Sequence, residues 1–437
     1  MPRRLDRRQL LRRGGVVAAA GIAGCTGSGS TEGSDGETGT DTGSGTTEES
    51  SAGSGSGGEE ARRENPNTIF VAEDGALSAS GTTDDPLSSI QDALSRVEPG
   101  DTIRVRPGVY EERVAPPRGG RPGDPITITG PPDAVLKSDP RQYNVVLIRH
   151  SHVHITGLTI DGLENPDAPE EADSYSRAQL VQTRPPTDTD EYLTDIVVSP
   201  HRIGNTQKSI VSLERTRNVE VGPFRVIGPA GAKYLFADRA GHNGEIVYVG
   251  TSPSNLETDW HPWSEYDQSS DVLIHHIDNS EGYGHSELVN TKLGTHDVTV
   301  EYCTDGGGSR NTEDSPAASV RFQSFDATLR WCDLRNGLGY GVEIASFKAR
   351  DAQKDRSEPS EIQRRGGTDN AVYGNRIAGF DDAAIAYPVD SQTERDQRRV
   401  CGNEYDGEST GDPGASCSSA VPQGDGLGHT GGDSPWA

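Results

Sequence analysis

The chain has 437 residues, enough to bury a sizeable core, and a formal net charge of −27 from 68 acidic and 41 basic side chains. No part of it shows a basic stripe that would neutralise phosphates, so we expect no nucleic-acid partner. Its 54 glycines and its 5% of aromatic residues argue against a helical bundle and favour a fold with many turns.

Residues 1–24 have the features of an export signal. A twin arginine in the stretch RRQLLRR precedes the apolar run GGVVAAAGIAG, which at about 11 residues is too short to span a bilayer as a stable helix. The run ends in Ile-Ala-Gly-Cys, which resembles a lipoprotein box with Cys25 as the lipidated residue. These features predict twin-arginine export and a lipid anchor on the extracellular face of the cell membrane.

Residues 25–66 are rich in Gly, Ser, Thr and Glu, with 8 acidic and no basic residues between positions 31 and 60. Such a segment cannot bury apolar surface, so it is predicted to be a disordered acidic linker. Residues 421–437 are similar to it in character and are predicted to be a flexible tail.

One short helix is predicted, in the stretch DDPLSSIQDALSRVEPGD. The apolar residues from Ile90 to Val97 follow helical spacing, and Pro99 ends the pattern. We expect this helix to cap the open end of the domain that follows, where unpaired strands would otherwise invite pairing.

Residues 67–420 contain two interleaved sets of short runs with alternating apolar positions. DVLIHHIDNS (271–280) belongs to the first set and SELVNTK (286–292) to the second. Equivalent residues of the first set, such as Val272 and Val298, lie 26 positions apart. Repetition at this period predicts a solenoid in which each coil adds one strand to each parallel sheet.

The opening of this region, TIFVAEDG … DPLSSIQDAL … VEPGDTIRVRPGVYEE, resembles that of right-handed parallel β-helix proteins of the pectate-lyase-like superfamily. The resemblance covers Asn67 to Cys417. It implies an all-β fold, a single-stranded right-handed parallel β-helix with a short N-terminal capping helix. This motif specifies the fold well and the activity poorly.

The second set of runs carries the candidate site. The first apolar residue of each run is predicted to point into the solenoid; these residues are Ile246, Leu288, Val320, Ile344 and Ile385. Their polar neighbours then form an exposed face on adjacent coils, which carries Glu245, Glu287, Arg321 and Glu343, with Lys292 at the end of its strand. A solvated charged face is the alternative interpretation. Against it, stacked Glu245 and Glu287 would repel each other unless a cation lay between them.

Three runs, NGEIVYVG, HSELVNTK and ASVRFQS, resemble in their order the active-site strands of family 6 polysaccharide lyases, the alginate lyase and chondroitinase B group. The resemblance implies that Lys292 is the catalytic base, that Arg321 is the second catalytic residue and that Glu287 binds Ca²⁺. His285 and Phe322 depart from that pattern, which has a second calcium-binding Glu and a His there. EIVYVGTS, ELVNTKLGT and GYGVEI also resemble a family of secreted β-helix proteins that keeps the same lysine.

The chemistry that this resemblance implies is β-elimination on a uronic acid. A base removes the proton beside the carboxyl group while cationic groups neutralise the carboxylate. Lys292 can act as the base if a nearby arginine lowers its pKa by repulsion, and Arg321 serves as a carboxylate clamp because guanidinium keeps its proton. Glu343 is predicted to bind substrate. Glu245 and Glu287 either hold Ca²⁺ through their oxygens or pair with the two cations.

An insertion with the sequence SNLETDWHPWSEYDQS separates two of the coils. Long loops on a solenoid tend to line its binding face. The aromatic residues Trp260, Trp263 and Tyr266 either stack on sugar rings as substrate-binding residues or attach the loop to the solenoid, and the sequence favours neither.

Four cysteines follow the predicted lipidation site, and none has the CxxC spacing of a zinc site. In an exported protein their even number favours two disulfides, most simply Cys303–Cys332 and Cys401–Cys417. Two free buried thiols in place of the first pair is the alternative.

Two functions are consistent with these features. The first is a lipid-anchored, monomeric cell-surface polysaccharide lyase that acts on an acidic glycan, with Ca²⁺ as its one candidate cofactor. The second is a non-catalytic β-helix that binds glycan or forms part of the cell envelope. The acidic, lysine-poor composition resembles that of proteins from extreme halophiles.

Overall fold

The computed structural model describes residues 67–141, 143–236, 241, 243–307, 317–345, 360–387, 397–406 and 420–432. The predicted signal peptide 1–24, the lipidation site Cys25 and the linker 25–66 lie outside these residues. Within the described ranges, no helix is long and apolar enough to cross a membrane.

Twenty-nine strands in the described residues form three parallel sheets. Sheet A has 11 strands: β1 Thr68–Val71, β2 Thr102–Val105, β4 Ile126–Thr129, β7 Val153–Thr156, β10 Leu193–Ser199, β13 Thr216–Val221, β16 Ser270–His275, β19 His296–Glu301, β22 Thr328–Arg330, β25 Ala371–Tyr373 and β28 Arg399–Cys401. Sheet B has 10: β3 Gly108–Glu111, β5 Ala134–Lys137, β8 Thr159–Asp161, β11 Arg202–Gly204, β14 Phe224–Val226, β17 Ile277–Asn279, β20 Thr304–Asp305, β23 Asp333–Arg335, β26 Arg376–Ala378 and β29 Glu404–Tyr405. Sheet C has 8: β6 Val146–Ile148, β9 Val181–Thr183, β12 Val211–Leu213, β15 Val247–Val249, β18 Val289–Thr291, β21 Val320–Phe322, β24 Tyr340–Ile344 and β27 Ala383–Ala386.

From β4 to β27 the chain visits sheets A, B and C in turn, so each of these coils contributes one strand to each sheet and pairs with the coil before it; β1–β3 and β28–β29 belong to sheets A and B. The predicted parallel β-helix is therefore confirmed. Equivalent apolar residues stack into ladders that fill the interior. In sheet C the ladder is buried throughout, and it consists of Val146, Val181, Val211, Val247, Val289, Val320, Val342 and Ile385. β-Branched side chains suit such a ladder because they pack well on a pleated surface.

Turns into sheet A repeat one backbone conformation. Asp195, Asn218, Asp271 and Asp297 have φ between 52° and 57° at the second or third position of their strands. Asp and Asn are the non-glycine residues that adopt this left-handed region most readily. The recurring Asp and Asn at the start of the first set of runs therefore mark the corner of each coil.

Three short helices occur in the described part of the chain: α1 Ile90–Ser95, α2 Ala232–Phe236 and α3 Glu361–Arg365; short 3-10 turns cover Ala172–Ser174, Pro253–Asn255 and Gly428–Thr430. Helix α1 packs against β1 and β2, the first strands of sheet A, as its predicted capping role requires. The Ser89 hydroxyl caps α1 by accepting from the Asp92 amide at 3.1 Å.

The predicted Cys303–Cys332 disulfide is wrong in this structure, where both residues are free, buried thiols. They do occupy the same place in successive coils, since the Cys303 amide lies 3.5 Å from Cys332 Sγ. However, the Cys303 thiol points at the Glu301 carbonyl and the Cys332 thiol at the Arg330 carbonyl, in the same direction. Cys401 is disulfide-bonded, and its predicted partner Cys417 lies outside the described residues.

Part of the predicted flexible tail packs on the solenoid. Trp331 Nε1 donates to the Pro422 carbonyl at 3.2 Å, and the Gly428 amide donates to the Trp331 carbonyl at 2.8 Å. His429 Nδ1 lies 2.8 Å from Thr304 Oγ1. Glycine-rich composition alone did not reveal this contact, because the tail packs on a row of aromatic rings, Tyr302, Trp331 and Tyr373, that lie on successive coils.

Candidate active site on sheet C

The outward row of sheet C differs by one residue from the predicted row. Val247, Val289 and Val320 share one ladder position, so the next residue of each strand faces outward. That outward row contains Tyr248, Asn290, Arg321 and Glu343. The predicted alignment of Glu245 and Glu287 with Glu343 is therefore wrong. Alternation does not reveal the register here, because Ile246 and Leu288 are buried together with the valines that follow them.

Arg321 and Glu343 lie side by side in this row. Arg321 Nη2 is 3.2 Å from Glu343 Oε1, and Arg321 Nη1 is 3.9 Å from Glu287 Oε1. Glu287 and Glu343 are buried, whereas the Arg321 side chain keeps 16% of its surface exposed. Arg321 Nε is buried and has no hydrogen-bond partner among the described residues. The outer side of the guanidinium is therefore open to solvent, and its buried Nε–H group donates no hydrogen bond within the described residues.

Glu245 and Glu287 form a buried pair of carboxylates rather than an exposed stack. Each is 1% exposed. Glu245 Oε2 accepts from the Ser209 hydroxyl at 2.6 Å, and Glu287 Oε2 accepts from the Ser286 hydroxyl. Burial, followed by the negative charge of Glu287, raises the pKa of Glu245. The two carboxylates thus place negative charge below the outward row of sheet C. This charge attracts cationic side chains.

Lys292 follows β18 directly and lies next to this pair. Its Nζ is 4.6 Å from the centroid of the Tyr248 ring. Burial lowers the pKa of Lys292, the charges of Glu245 and Glu287 oppose that shift, and Arg321 adds a smaller lowering effect. The prediction that an arginine lowers this pKa is thus correct in direction, but burial is the larger cause. The expectation of an exposed strand-end charge is wrong, because the side chain is half-buried.

Gly250 makes room for Lys292. It is the residue after β15, at the position that Lys292 occupies after β18, and its φ is +88°. A Cβ at Gly250 would lie 2.4 Å from Thr295 Cγ2 and 3.3 Å from Lys292 Cβ. Only glycine fits this conformation and this space without displacing its neighbours.

Tyr248 is the functional candidate that the sequence analysis missed. It is half-buried, and burial, followed by the charges of Glu245 and Glu214, raises its pKa well above the ordinary value. A phenol in this state keeps its proton and can donate it. The available signal was the alternation Val-Tyr-Val in β15, which places Tyr248 on the face opposite the two valines.

Calcium prefers six to eight oxygen ligands. The Glu245–Glu287 pair accepts from the Ser209 and Ser286 hydroxyls, and the buried Asn290 Oδ1 of the outward row has no hydrogen-bond partner among the described residues. No cluster of three or more Asp, Glu, His or Cys side chains suited to a metal ion occurs in the described ranges. Lys292 and Arg321 already lie next to the carboxylates. The residues therefore do not fit the expected calcium site, and no step below passes through a metal.

A groove leads from Tyr248 along sheet C towards the N-terminal coils. Its cavity volume is about 630 Å³, and its floor is the continuation of the outward row, consisting of Leu147, Gln182, Ser212 and Tyr248. The insertion forms one wall with Trp260, which is 73% exposed. A long, open groove that ends at a cluster of titratable residues is suited to a polymeric substrate.

The three predicted aromatic residues of the insertion have different positions. Trp260 faces the groove, as a sugar-stacking residue would. Trp263 is buried and donates from Nε1 to the Thr189 carbonyl at 3.0 Å. The centroid of its ring lies 4.7 Å from Arg215 Cζ. Tyr266 accepts at its hydroxyl from Gln363 Nε2 at 2.6 Å. Trp263 and Tyr266 therefore attach the loop to the solenoid, the alternative that the sequence left open.

No protein-family model and no curated protein sequence matches this chain. Similar solved structures include an alginate lyase from Paenibacillus sp. str. FPU-7, with 18% identity over 78% of this chain and 98% of that one and a TM-score of 0.48. The pectate lyase Pel9A has 12% identity over 79% and 80%, with a TM-score of 0.46. A PL6 family polysaccharide lyase from Pseudopedobacter saltans has 14% identity over 72% and 80%, with a TM-score of 0.36. A lacto-N-biosidase is also among the similar structures. Similarity at this level carries no argument about activity.

Proposed function

We propose that the protein is a polysaccharide lyase that cleaves an acidic, uronate-containing glycan by β-elimination. The observation that carries the proposal is the position of Lys292, whose Nζ lies 4.6 Å from the centroid of the ring of Tyr248, a residue that lines the open groove. A lysine with a lowered pKa and a tyrosine with a raised pKa are the base and the acid that an elimination needs.

The three side chains have distinct roles in this reaction. Neutral Lys292 takes the proton from the carbon beside the uronate carboxyl group. The electron pair of that C–H bond forms a carbon–carbon double bond as the bond to the glycosidic oxygen breaks. Tyr248 donates its hydroxyl proton to the departing oxygen. The Arg321 guanidinium neutralises the carboxylate and so stabilises the charge that develops beside it.

A glycan-binding β-helix without activity is the second candidate. The contacts of Arg321 favour it, because Glu343 at 3.2 Å and Glu287 at 3.9 Å already compensate the guanidinium charge. Under that alternative, the cluster is a structural ion-pair network and substrate occupies the groove without being cleaved.

Incubation of the purified protein with alginate, pectate and glycosaminoglycans in high salt separates the two. We expect absorbance from unsaturated uronate ends to rise on at least one polymer, and the Lys292→Ala variant to show no rise. If the wild-type protein binds a uronate polymer but produces no unsaturated ends from any of them, it is a binding protein.

We also propose that the protein is exported through its twin arginine and anchored by a lipid on Cys25. The support is the arrangement of the first 25 residues. The Cys25→Ser variant is expected to leave the membrane fraction, or to keep its signal peptide, with the thermal stability of the domain unchanged. Normal processing together with retention in the membrane fraction would contradict the anchor.

A further inference from the structure

We propose that the groove on sheet C is a polyanion site that holds several consecutive carboxylates of one acidic glycan chain on the N-terminal side of Lys292. This inference rests on the proposed function for its substrate class, but its evidence comes from a different set of residues. The charged side chains that line the groove are Arg113, Arg149, Arg184, Lys208, His261 and Glu214. Four of the six are arginine or lysine, one is a histidine and one is a carboxylate, in a protein whose net charge is −27.

The position of Lys292 repeats as arginine on two earlier coils. Arg149 follows β6 and Arg184 follows β9, just as Lys292 follows β18. The backbone pairing extends to this position, since the Arg184 amide donates to the Ile148 carbonyl at 2.9 Å and the Lys292 amide donates to the Val249 carbonyl at 2.9 Å. Four coil steps separate Arg149 from Lys292, which is roughly 19 Å at the usual spacing of paired strands. The cations therefore form a row parallel to the solenoid axis.

Glu214 interrupts this row without cancelling it. It follows β12, accepts from Arg184 Nε at 2.6 Å and from Nη2 at 3.0 Å, and also accepts from Gln182 Nε2 at 2.7 Å. Its single charge is thus taken up by Arg184. Arg149 and Lys208 line the groove, and within the described part of the chain no carboxylate forms a salt bridge with either of them.

The cations in the groove repel one another. Burial, followed by the charge of Arg149, lowers the pKa of Arg113. Burial, followed by the charges of Lys233 and Arg184, lowers the pKa of Lys208. Like charges that are held this close in a partly dry groove are relieved when an anion lies between them.

Two aromatic side chains identify the class of anion. Tyr143 is 70% exposed and Trp260 is 73% exposed, and both line the groove. A sugar ring has an apolar face that such rings can cover, whereas an isolated phosphate or sulfate has none. A uronate polymer offers both features, with carboxylates for the cations and ring faces for Tyr143 and Trp260.

Binding is best measured in the Lys292→Ala variant, which is not expected to degrade its ligand. Calorimetry with oligomers of alginate and of pectate, from dimer to octamer, should show affinity rising with length for at least one of the two series. Adding Arg149→Gln should weaken octamer binding about tenfold and leave dimer binding unchanged. Arg202→Gln is the matched control, because Arg202 is exposed on sheet B and its loss changes the net charge equally.

Each outcome has a distinct meaning. If Arg149→Gln and Lys208→Gln both bind the octamer as tightly as the Arg202→Gln control, with unchanged thermal stability, the polyanion site is wrong even where the wild-type protein cleaves polymer. If oligomers bind through Arg149 but no polymer is cleaved, the polyanion site is supported and the lyase proposal is wrong. Tighter binding of single-stranded DNA than of any uronate oligomer at equal salt would also overturn the inference.

Discussion

Lys292 has neighbours that act on its pKa in opposite directions. Burial and Arg321 lower this pKa, whereas the buried carboxylates of Glu245, Glu287 and Glu343 raise it, and the result is a lowered pKa. By linkage, the charged ammonium is therefore less favourable in the folded state than in the unfolded one. The fold does not use Lys292 as a stabilising charge, which is the condition expected of a residue kept for chemistry.

Replacement of Lys292 should separate activity from stability. Lys292→Ala loses the base and should abolish elimination, while the free energy of unfolding falls by at most about 1–2 kcal/mol, mainly from lost packing of the aliphatic stem on Tyr248. Lys292→Arg keeps the positive charge but cannot give up its proton, so it should be inactive too. Product formation by absorbance and urea unfolding measure the two effects. Wild-type turnover in Lys292→Ala would show that another group is the base.

The pH dependence of kcat/KM should have a rising limb set by Lys292. Activity requires the neutral amine, so kcat/KM increases as pH rises through the lowered pKa of Lys292. The falling limb, where Tyr248 loses its proton, lies well above the ordinary tyrosine pKa. Arg321→Gln removes a like charge and should move the rising limb to higher pH, while Arg202→Gln should leave it in place. A limb that does not move in Arg321→Gln would mean that Arg321 has no influence on the base.

Among the structural elements, the insertion between β15 and β16 carries both an anchor and a groove wall. Asp267, near its end, is buried and accepts from the Arg215 amide at 3.0 Å and from the Thr251 hydroxyl at 3.0 Å. Trp263 lies over Arg215, so the loop is attached to the β12–β13 corner of the solenoid. The exposed Trp260 is thereby held beside the groove.

Trp263 and Trp260 should respond differently to truncation. Trp263→Ala removes a buried ring and its hydrogen bond, which should cost about 3 kcal/mol and make residues 251–269 sensitive to protease. Trp260→Ala should leave stability and protease resistance unchanged and raise KM for polymer. The Tm and the rate of limited proteolysis are the measurements. Equal loss of stability in both variants would mean that Trp260 also supports the loop.

At the scale of strands, sequence patterns gave the architecture but not the register of the site. Repeated alternation such as that of Val298 and Val300 predicts coils, because only one face of each strand is buried. Ile246 and Val247 are adjacent and both buried at the corner between sheets, so alternation cannot tell which of them enters the ladder. Because the register was uncertain by one residue, the outward position of Tyr248 could not be predicted. Burial, the larger cause of the lowered pKa of Lys292, was equally out of reach, because it depends on the packing of other coils.

Taken as a whole, the molecule combines a strongly acidic composition with a basic groove. The net charge of −27 creates self-repulsion that added salt screens, and the Debye length falls from about 10 Å at 0.1 M to about 3 Å at 1 M salt. Attraction between the groove and a polyanion is screened by the same ions. Stability and substrate binding should therefore depend on salt in opposite ways.

This opposition can be measured directly. Between 0.1 M and 2 M KCl we expect the Tm to rise and the affinity for a uronate octamer, measured in Lys292→Ala, to fall. An equal osmolality of sorbitol is the control, because it does not screen charge. A Tm that rises as much in sorbitol as in KCl would show that self-repulsion is not what limits stability.

The stacked outward row of sheet C also fixes a length scale. Leu147, Gln182, Ser212 and Tyr248 are separated by backbone hydrogen bonds between coils, at about 4.8 Å per step, and no side-chain substitution can change that step. The charges of a bound ligand must therefore be spaced at multiples of this distance between coils, which the backbone sets. Evolution can change the specificity of such a surface by replacing the side chain on each coil or by adding and removing whole coils. It cannot change the distance between coils.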